Sequence, residues 1–405
     1  MKILEINSFF SVGGPPRVVN GIYDFLKEQG HECKIAAARE SLYAPNDSIM
    51  VGCKYSLYIN ALMVRLLDND GFNGKRNTLR LIKQIQKYDP DIIHLHNLHG
   101  YYIDVTVLFS FLKQYGKPVV WTLHDCWPMT GHCTHFDSIG CSKWKTASCA
   151  KCPLKREYPT SFMADNSETN IKLKREAFLG VPNLTLVTVS NWLKDITKES
   201  IIGEYPIQVI PNGIDLTVFR PKKTSELIEK YNLSDKKIVL GVAQNWGSKK
   251  GLNDMVALSE KLNDEYKVVL VGVTEKQQNN LPDTVLALGR TNNSDELADW
   301  YSAAYVFINP SVEETMGLTT VEALACGTPA IVYNRTAVPE VIDSKCGWVV
   351  EAGKIEKVAE IIKNIPITSV HSANAILRAK EFERTVQYGK YLQLYSQIIE
   401  KGKIS

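Results

Sequence analysis

Short, nearly continuous apolar runs recur along the whole chain, separated by glycine-containing turns and amphipathic stretches. The first runs are KILEIN (2–7), PDIIHLHN (90–97), PVVWTLHD (118–125) and LTLVTVS (184–190). Such runs are typical of strands that are buried on both faces of a sheet. A strand, a glycine turn, a helix and another strand in succession is how an open parallel sheet begins. The pattern therefore predicts a doubly wound α/β architecture.

The alternation starts again in the second half of the chain, where strands are predicted at KKIVLGVA (236–243), YKVVLVGV (266–273), AYVFINPS (304–311), TPAIVY (328–333) and GWVV (347–350). A chain of 405 residues also suits two domains of about 200 residues each. We predict an N-terminal Rossmann-like domain of residues 1–205 plus 385–405, to which the C-terminal helix returns, with a cysteine-rich insertion at 126–152. Residues 206–384 form a second Rossmann-like domain. Two such domains facing each other leave a cleft at the carboxyl ends of their strands, where open α/β sheets bind ligands.

Composition excludes several classes of protein. Hydrophobic residues make up 44% of the chain and charged residues 22%, the balance of a globular protein rather than a disordered one. A formal net charge of +3 is too small to indicate nucleic-acid binding. The sequence lacks an apolar run of about 20 residues that could span a membrane, and the N-terminus is typical of a first strand rather than a secretion signal. We therefore expect a cytoplasmic protein.

The segment NPSVEETMGLTTVEALACGTP (309–329) carries the most specific pattern in the chain. A strand ends there, a polar loop follows, and a helix begins near Gly317 and stops at Gly327. The first amides of that helix have no partners inside it and lie at its positive end, which suits a diphosphate. Carboxylates as near to a phosphate as Glu314 and Glu322 would be repelled unless they bound another group, and sugar hydroxyls are the obvious candidates. For Glu322, the alternative is a favourable charge early in a helix.

These residues resemble the retaining GT-B glycosyltransferases of family four. EETMGLTTVEALACGTPAIV is similar to the Glu-x7-Glu motif of the family, VIPNGIDLTVFRP (209–221) to its PNG segment, and VTVSNWLK (187–194) to its VxxS segment. The resemblance implies that Glu314 holds hydroxyls of the donor sugar and that Glu322 holds the ribose of the nucleotide. It also implies that the backbone of Thr315, Met316 and Gly317 faces the diphosphate and the sugar. Leu318 would lie near the ribose or the phosphates.

GVAQNWGSKKG (241–251) resembles the donor loop of the same family. Lys250 fits the family's lysine, and its ammonium would neutralise charge on the departing diphosphate. The family's arginine is missing, and Gln244 and Asn245 occupy its neighbourhood, so that we assign Asn245 to the donor site. Either Lys249 compensates, or the leaving group is stabilised by one fewer fixed cation. The alternative to a donor site is that the lysines form a solvated turn.

Two features of the first half are assigned to the donor through the same resemblance. VGGPPRV (12–18) is no GxGxxG fingerprint but is similar to the family's Gly-Gly turn, in which Gly13 and above all Gly14 let a helix N-terminus approach the donor phosphates. His124 falls where the family keeps an active-site histidine that contacts the donor sugar. The expected catalytic residues are therefore His124, Glu314 and Lys250.

Polar residues beyond two predicted strands indicate the acceptor side. In PDIIHLHNLHGYY (90–102), strand alternation places His94 and His96 on one face. A histidine at a strand end is often a satisfied polar group, and we interpret His94 in this way. The expected acceptor-side residues lie past the strand ends: Asn97, His99, Tyr101 and Asp125.

The nine cysteines fall into two groups, four at scattered positions and five clustered between Cys126 and Cys152. Small buried side chains are expected at the scattered positions Cys33, Cys53, Cys326 and Cys346. The clustered positions Cys133, Cys141, Cys149 and Cys152 offer four thiolates, which suit a structural zinc ion. The surrounding loop has little apolar material, so that a metal would supply its order. Free thiols and oxidised pairs are the alternatives, and Cys126, His132 and His135 are substitute ligands.

The expected function is transfer of a sugar from a UDP- or GDP-sugar to a saccharide acceptor, without a catalytic metal. The cysteine-rich pattern resembles the branch that makes bacterial capsule, exopolysaccharide and O-antigen, which implies a lipid-linked acceptor at the inner face of the membrane. The helix YSLYINALMVRLL (55–67) is a candidate for peripheral contact with that surface, although such a stripe is more often core. The alternatives are a nucleotide-sugar epimerase, against which the Glu-x7-Glu motif argues, and a catalytically inactive nucleotide-sugar-binding subunit, which the absent arginine favours.

Overall fold

The computed structural model describes residues 1–10, 14–38, 44–45, 47–364 and 366–404. The chain divides into two compact units. The first consists of Met1–Pro211 and Gln387–Ser405, and the second of Asn212–Val386. Each unit is built around its own sheet. The predicted doubly wound α/β architecture is confirmed.

The first unit contains a seven-stranded parallel sheet in the order β3-β2-β1-β4-β5-β6-β7. Its strands are β1 (Lys2–Asn7), β2 (Glu32–Ala37), β3 (Ile49–Met50), β4 (Ile92–Leu95), β5 (Val119–Leu123), β6 (Leu184–Thr188) and β7 (Ile207–Val209). The strand order reverses between β1 and β4. Ligands of doubly wound sheets bind at the carboxyl ends of strands beside such a reversal.

Six helices connect these strands: α1 (Gly14–Glu28), α2 (Lys54–Leu67), α3 (Lys75–Tyr88), α4 (Val105–Tyr115), α5 (Ser167–Phe178) and α6 (Asn191–Lys198). Their ends follow from local chemistry. The side chain of Asp104 accepts hydrogen bonds from the first amides of α4, and Gly116 ends that helix in the left-handed conformation with φ 71°. Three short 3-10 helices lie between β5 and β6, within the cysteine-rich insertion.

The second unit contains a six-stranded parallel sheet in the order β10-β9-β8-β11-β12-β13. Its strands are β8 (Lys237–Val242), β9 (Tyr266–Val271), β10 (Val285–Leu288), β11 (Val306–Asn309), β12 (Ala330–Tyr333) and β13 (Gly347–Val350). Its helices are α7 (Ser225–Lys230), α8 (Leu252–Lys261), α9 (Glu275–Gln278), α10 (Ser294–Ala303), α11 (Leu318–Ala325), α12 (Ile355–Asn364) and α13 (Ser369–Lys380). Here the strand order reverses between β8 and β11.

The last helix, α14 (Arg384–Ile404), contributes its residues from Gln387 onward to the first unit. Tyr391 and Tyr395 of α14 are fully buried in the same apolar cluster as Ile3, Val19 and Ile35. The final turns of the chain therefore complete the core that its first strand begins.

The structure corrects several sequence-based expectations. The short strands β3, β7 and β10 were not predicted, because two to four residues carry too little periodicity. The apolar stripe of α2 is not core: Tyr55, Tyr58 and Ile59 are 81%, 65% and 62% exposed. Cys53 is exposed, whereas the other three scattered cysteines are buried as expected. Among the described residues, no helix is long and apolar enough to cross a membrane.

Candidate active site

Two loops of the second unit meet beside the strand reversal. The loop after β8 ends at Gly251, and the loop after β11 begins with Pro310. Gly251 has φ 72°, and a Cβ atom on it would lie 2.6 Å from the ring of Pro310. The amide of Val312 donates a hydrogen bond of 3.0 Å to the carbonyl oxygen of Lys249. Glycine is required at position 251 because any side chain would push the two loops apart.

Two adjacent lysines of the β8 loop contact two adjacent glutamates of the β11 loop. The Nζ atom of Lys249 lies 2.8 Å from a carboxylate oxygen of Glu313, whose side chain is only 3% exposed. The ammonium of Lys250 forms an ion pair with Glu314, and both of these side chains are partly exposed. Lys249 is thus engaged with a buried carboxylate, whereas the pair formed by Lys250 and Glu314 is accessible from solvent.

The N-terminus of α11 follows directly after this pair. Gly317 caps the helix with φ 89° and ψ 53°, a left-handed conformation that favours glycine. Met316 is buried, and Thr315 and Leu318 are half-buried. One turn into the helix, Glu322 is buried and accepts a 3.0 Å hydrogen bond from the hydroxyl of Tyr301. The residues predicted to bind the donor, from Glu314 to Glu322, therefore lie together around one helix end.

Asn212, from the segment PNGID (211–215), also lies at this helix end, although the sequence analysis named no residue of that segment as a site residue. Its backbone amide lies 3.1 Å from the sulfur of Met316. Within the described part of the chain, its buried side-chain oxygen Oδ1 has no hydrogen-bond partner. Because a buried polar atom is normally satisfied, this oxygen is suited to accept a hydrogen bond from a ligand.

An arginine reaches the donor loop from elsewhere in the fold. Arg290, which follows β10, donates from Nη2 to the carbonyl oxygen of Gln244 at 3.2 Å and to Oδ1 of Asn245 at 3.3 Å. The sequence analysis found the loop without an arginine because it considered only residues 241–251. The structure places the guanidinium of Arg290 beside the same loop because β10 pairs with β9, which in turn pairs with β8.

In the first unit, His124 follows β5 and contacts a second histidine. Its Nε2 atom lies 3.0 Å from Nδ1 of His96, and the two rings are stacked with their centroids 5.3 Å apart. Burial lowers the pKa of His124 to about 4, so that the ring is neutral at neutral pH. Such a ring can donate or accept a hydrogen bond without adding charge.

Gly14 begins α1, the helix that follows β1, and a Cβ atom built on it would meet none of the described residues within 4 Å. Gly13, the other glycine of the predicted turn, lies outside the described residues.

Three of the predicted acceptor-side residues lie close together. His99 contacts Asp125 at 2.7 Å through Nε2 and the hydroxyl of Tyr158 at 2.9 Å through Nδ1. Tyr101 packs its ring 6.2 Å from that of Tyr158, and its backbone adopts φ 73°. Asn97 contacts its neighbours through its backbone, with its carbonyl oxygen accepting a 2.8 Å hydrogen bond from Tyr102. Tyr158 was missed by the sequence analysis because it lies 57 residues beyond Tyr101 without any motif around it.

The His99–Asp125 contact predicts a pH-dependent contribution to stability. Burial opposes protonation of His99, but the carboxylate of Asp125, assisted by that of Asp70, outweighs burial and raises the pKa of the ring. When folding raises the pKa of a histidine, protonation adds to the free energy of unfolding. This contribution is fully present below the pKa of the unfolded state, about 6.5, and is lost as the pH rises through the pKa of the folded state. The difference in Tm between the wild type and Asp125→Asn should therefore be larger at about pH 6 than at about pH 9. A difference that grows toward high pH would contradict this assignment.

Among the described residues, no three of the four clustered cysteines place their sulfur atoms within 4.8 Å of one another, although Cys149 lies near enough to Cys141 and Cys152 to feel their charge. Cys133 and Cys152 are hydrogen-bonded to each other, and this contact lowers the pKa of the Cys152 thiol. All nine cysteines are free thiols. Among the described residues, the one group that places three potential metal-ligating atoms within 4.8 Å of one another is Glu5, His94 and His96. The arrangement thus does not show a four-thiolate site, and zinc stays a prediction that metal analysis of the purified protein tests.

The cysteine-rich insertion has an apolar core of its own, contrary to the expectation that a metal must supply its order. Trp127, Phe136 and Trp144 are buried, and the last two stack with centroids 4.8 Å apart. The buried ammonium of Lys174 donates to the carbonyl oxygens of Trp127 at 2.7 Å and Thr130 at 2.9 Å. Aromatic packing and this lysine of α5 therefore contribute to the order of the insertion.

Comparison with known proteins relates both units to one large group of enzymes. The family model described as Glycosyltransferase Family 4 matches residues 12–218. The model described as Glycosyl transferases group 1 matches residues 223–381. The two matches together cover both compact units of the chain.

Curated relatives and solved structures agree with these matches. The chain is 24% identical over 384 residues to the putative colanic acid biosynthesis glycosyl transferase WcaC of Escherichia coli, covering 90% of each chain. It is 29% identical to the alpha-monoglucosyldiacylglycerol synthase of Streptococcus pneumoniae over 223 residues, about half of each chain. Among structures, sucrose-phosphate synthase of Thermosynechococcus elongatus superposes with a TM-score of 0.70 at 18% identity and 99% coverage of both chains. HepE of Anabaena, solved in complex with UDP-glucose, superposes with a TM-score of 0.68 at 14% identity over the whole of both chains.

Proposed function

We propose that this chain, which belongs to Glycosyltransferase Family 4, moves a hexosyl or deoxyhexosyl group from a UDP- or GDP-sugar to a saccharide acceptor. It is a glycosyltransferase with the two parallel-sheet α/β domains of the GT-B fold. We further propose that the anomeric configuration is retained and that the product belongs to a bacterial surface polysaccharide. WcaC, named for colanic acid biosynthesis, supports an exopolysaccharide. HepE, solved with UDP-glucose, supports a nucleotide-sugar donor.

The observation that carries this proposal is the accessible ion pair of Lys250 and Glu314 at the strand reversal, directly before the N-terminus of α11. The ammonium and the amides of the helix end provide positive charge for a diphosphate. The carboxylate of Glu314 accepts hydrogen bonds from sugar hydroxyls. A nucleotide sugar needs both kinds of group next to each other, because its phosphate is bonded directly to its sugar.

The proposed chemistry assigns each group one task. As the bond between the anomeric carbon and the phosphate oxygen breaks, negative charge grows on the diphosphate, and Lys250 and the α11 amides stabilise it. Glu314 holds the sugar in place, and Glu322, which is oriented by Tyr301, binds the ribose. Arg290 supplies a second cation at the donor loop through its contacts with Gln244 and Asn245.

Donor binding and donor hydrolysis test the proposal together. One UDP- or GDP-sugar of a panel should raise the Tm, because a ligand that binds only the folded state stabilises it. The same donor should slowly release free sugar, and Glu314→Ala should abolish the release. Stabilisation without hydrolysis or transfer would favour a catalytically inactive binding subunit. No stabilisation by any nucleotide sugar would contradict the donor assignment.

The exposed face of α2 supports a lipid-linked acceptor at a membrane surface. Tyr55, Tyr58, Ile59 and Leu62 are between 55% and 81% exposed and recur at helical spacing. The neighbouring helix α3 contributes five exposed basic side chains and no acidic one: Lys75, Arg76, Arg80, Lys83 and Lys87. Apolar side chains beside a basic helix face are typical of proteins that lie on anionic lipid.

We expect the protein to co-sediment with vesicles that contain phosphatidylglycerol. The substitution Ile59→Glu should weaken this binding by about tenfold, because it places a carboxylate where the helix meets anionic lipid. Leu377→Glu, at a 59% exposed position of α13, is the matched control and should bind as the wild type does. Equal binding by both variants would exclude α2 as the contact surface.

A further inference from the structure

Glu5 is a carboxylic acid in the middle of the first core strand. Its side chain is fully buried, and it lies opposite His94 in the pairing of β1 with β4. Among the described residues, neither of its carboxyl oxygens has a hydrogen-bond partner. A buried carboxyl group without a hydrogen-bond partner lowers the free energy of unfolding, whereas an apolar side chain of similar size, such as methionine, would not. The presence of Glu5 at this position therefore needs an explanation.

A second unsatisfied atom faces Glu5. The Nε2 atom of His96 is buried, has no hydrogen-bond partner among the described residues, and lies 4.0 Å from Oε2 of Glu5. A movement of about 1 Å or one bridging water closes this gap. On its other side, His96 contacts Nε2 of His124 through Nδ1 at 3.0 Å. Glu5, His96 and His124 thus form a line from the sheet interior to the end of β5.

We propose that Glu5 is a positioning residue that fixes the tautomer of His124 through His96. The hydroxyl of the neutral Glu5 carboxyl group donates toward Nε2 of His96. That ring then carries its proton on Nδ1 and donates it to Nε2 of His124. His124 is left with its proton on Nδ1, so that this ring nitrogen is a donor and Nε2 an acceptor. This inference rests on the proposed function only in the role given to His124.

The opposite direction of donation is disfavoured. It would require Glu5 to accept from His96, which leaves either the hydroxyl of the neutral acid without an acceptor or a buried carboxylate without a cation. Burial raises the pKa of Glu5 well above its usual range and lowers that of His96 well below its own, in agreement with a neutral acid beside a neutral ring.

A metal ion is a weaker explanation for the same residues. Both ring nitrogens of His94 are already engaged, Nδ1 with the hydroxyl of Tyr395 at 2.7 Å and Nε2 with Oγ1 of Thr122 at 2.8 Å. A cation between Glu5, His94 and His96 would have to break one of these contacts. The ring of His94 is therefore held in place by these two hydrogen bonds and lies beside the proposed hydrogen bonds of Glu5, His96 and His124.

The experiment compares Glu5→Met, Glu5→Gln and the matched control Ile3→Met, which alters the same face of β1. The first readout is the tautomer of His124, measured by ¹⁵N NMR of histidine-labelled protein and assigned with a His124 substitution. We expect an Nδ1–H tautomer in the wild type, in Glu5→Gln and in Ile3→Met, and its loss in Glu5→Met. The glutamine amide keeps a donor toward His96, whereas methionine does not.

The second readout separates positioning from structure. Glu5→Met should keep or raise the Tm yet lower kcat for donor hydrolysis by about 10- to 100-fold, and Glu5→Gln should restore most of it. Should Glu5→Met fail to fold, His96→Leu breaks the same line and should shift the same tautomer. An unchanged His124 tautomer in these variants, or a stoichiometric metal that Glu5→Met releases, would overturn the proposal. The NMR readout holds even for a chain without transferase activity, so that failure of the proposed function is seen separately.

Discussion

Lys250→Met is expected to lower kcat for sugar transfer by about 100- to 1000-fold while leaving the Tm within a few degrees of the wild type. Lys250 pairs with the partly exposed Glu314 next to the N-terminus of α11, where the proposed reaction would develop charge on the leaving diphosphate. Its side chain is about one third exposed, so that its removal costs little folding free energy. Steady-state kinetics with the donor identified by thermal stabilisation measure the effect.

Lys249→Met is the control, because it removes the adjacent cation of the same loop. Lys249 pairs with the buried carboxylate of Glu313, so that its loss should cost about 1–3 kcal/mol of folding free energy. Its effect on kcat should be about tenfold or less. The two substitutions thus have opposite profiles, one catalytic and one structural. A larger kcat loss in Lys249→Met than in Lys250→Met would reverse the assignment of the two lysines.

Glu314→Gln is expected to lower kcat/KM for the donor by about 100-fold or more, because in the proposed function it replaces a charged acceptor of sugar hydroxyls by a neutral one. It also leaves the ammonium of Lys250 without its carboxylate partner. The Lys250→Met/Glu314→Gln double variant should therefore lose less than the product of the two single losses, since the residues are in contact.

Glu381→Gln provides the comparison for Glu314, because it breaks an exposed ion pair with Arg378 on the same unit. Its kcat/KM should equal that of the wild type. If the loss in the double variant equalled the product of the two single losses, Lys250 and Glu314 would act independently. That result would contradict the coupling expected from their direct contact.

The fold could be read from the sequence because long buried strands carry a strong pattern. Both sheets of parallel strands were predicted, and the boundaries of α11 follow from the glycines at 317 and 327. The strand pairs β9–β10 and β6–β7 could not be predicted, since short partly exposed strands look like loops. Their register also decides which side chains reach the β8 loop, because Arg290 follows β10 and contacts Gln244.

The exposed face of α2 was misjudged for a similar reason. An apolar stripe at helical spacing indicates burial in most proteins, and only the three-dimensional structure shows which helices lack a covering layer. The cysteine-rich insertion was misjudged because its large aromatic residues, Trp127, Phe136 and Trp144, recur at neither helical nor strand spacing. Phe136 and Trp144 meet only after the chain has made two short 3-10 turns.

Glu5 could have been found from the sequence. An acidic residue between Leu4 and Ile6 contradicts the pattern of a core strand, and such a contradiction is often a functional position. Its partner could not be found in this way. His96 lies 91 residues further along the chain, and only the pairing of β1 with β4 places the two side chains near each other.

The discontinuity of the first unit has a consequence for biosynthesis. Tyr391 and Tyr395 are needed to finish the core that begins with Ile3, yet the ribosome delivers them after every residue of the second unit. In a nascent chain, the first unit therefore stays incomplete while the second unit is synthesised. During that time the apolar surface against which α14 packs is exposed and can be bound by chaperones. Truncation or a bulky tag at the carboxyl terminus should harm the first unit rather than the second.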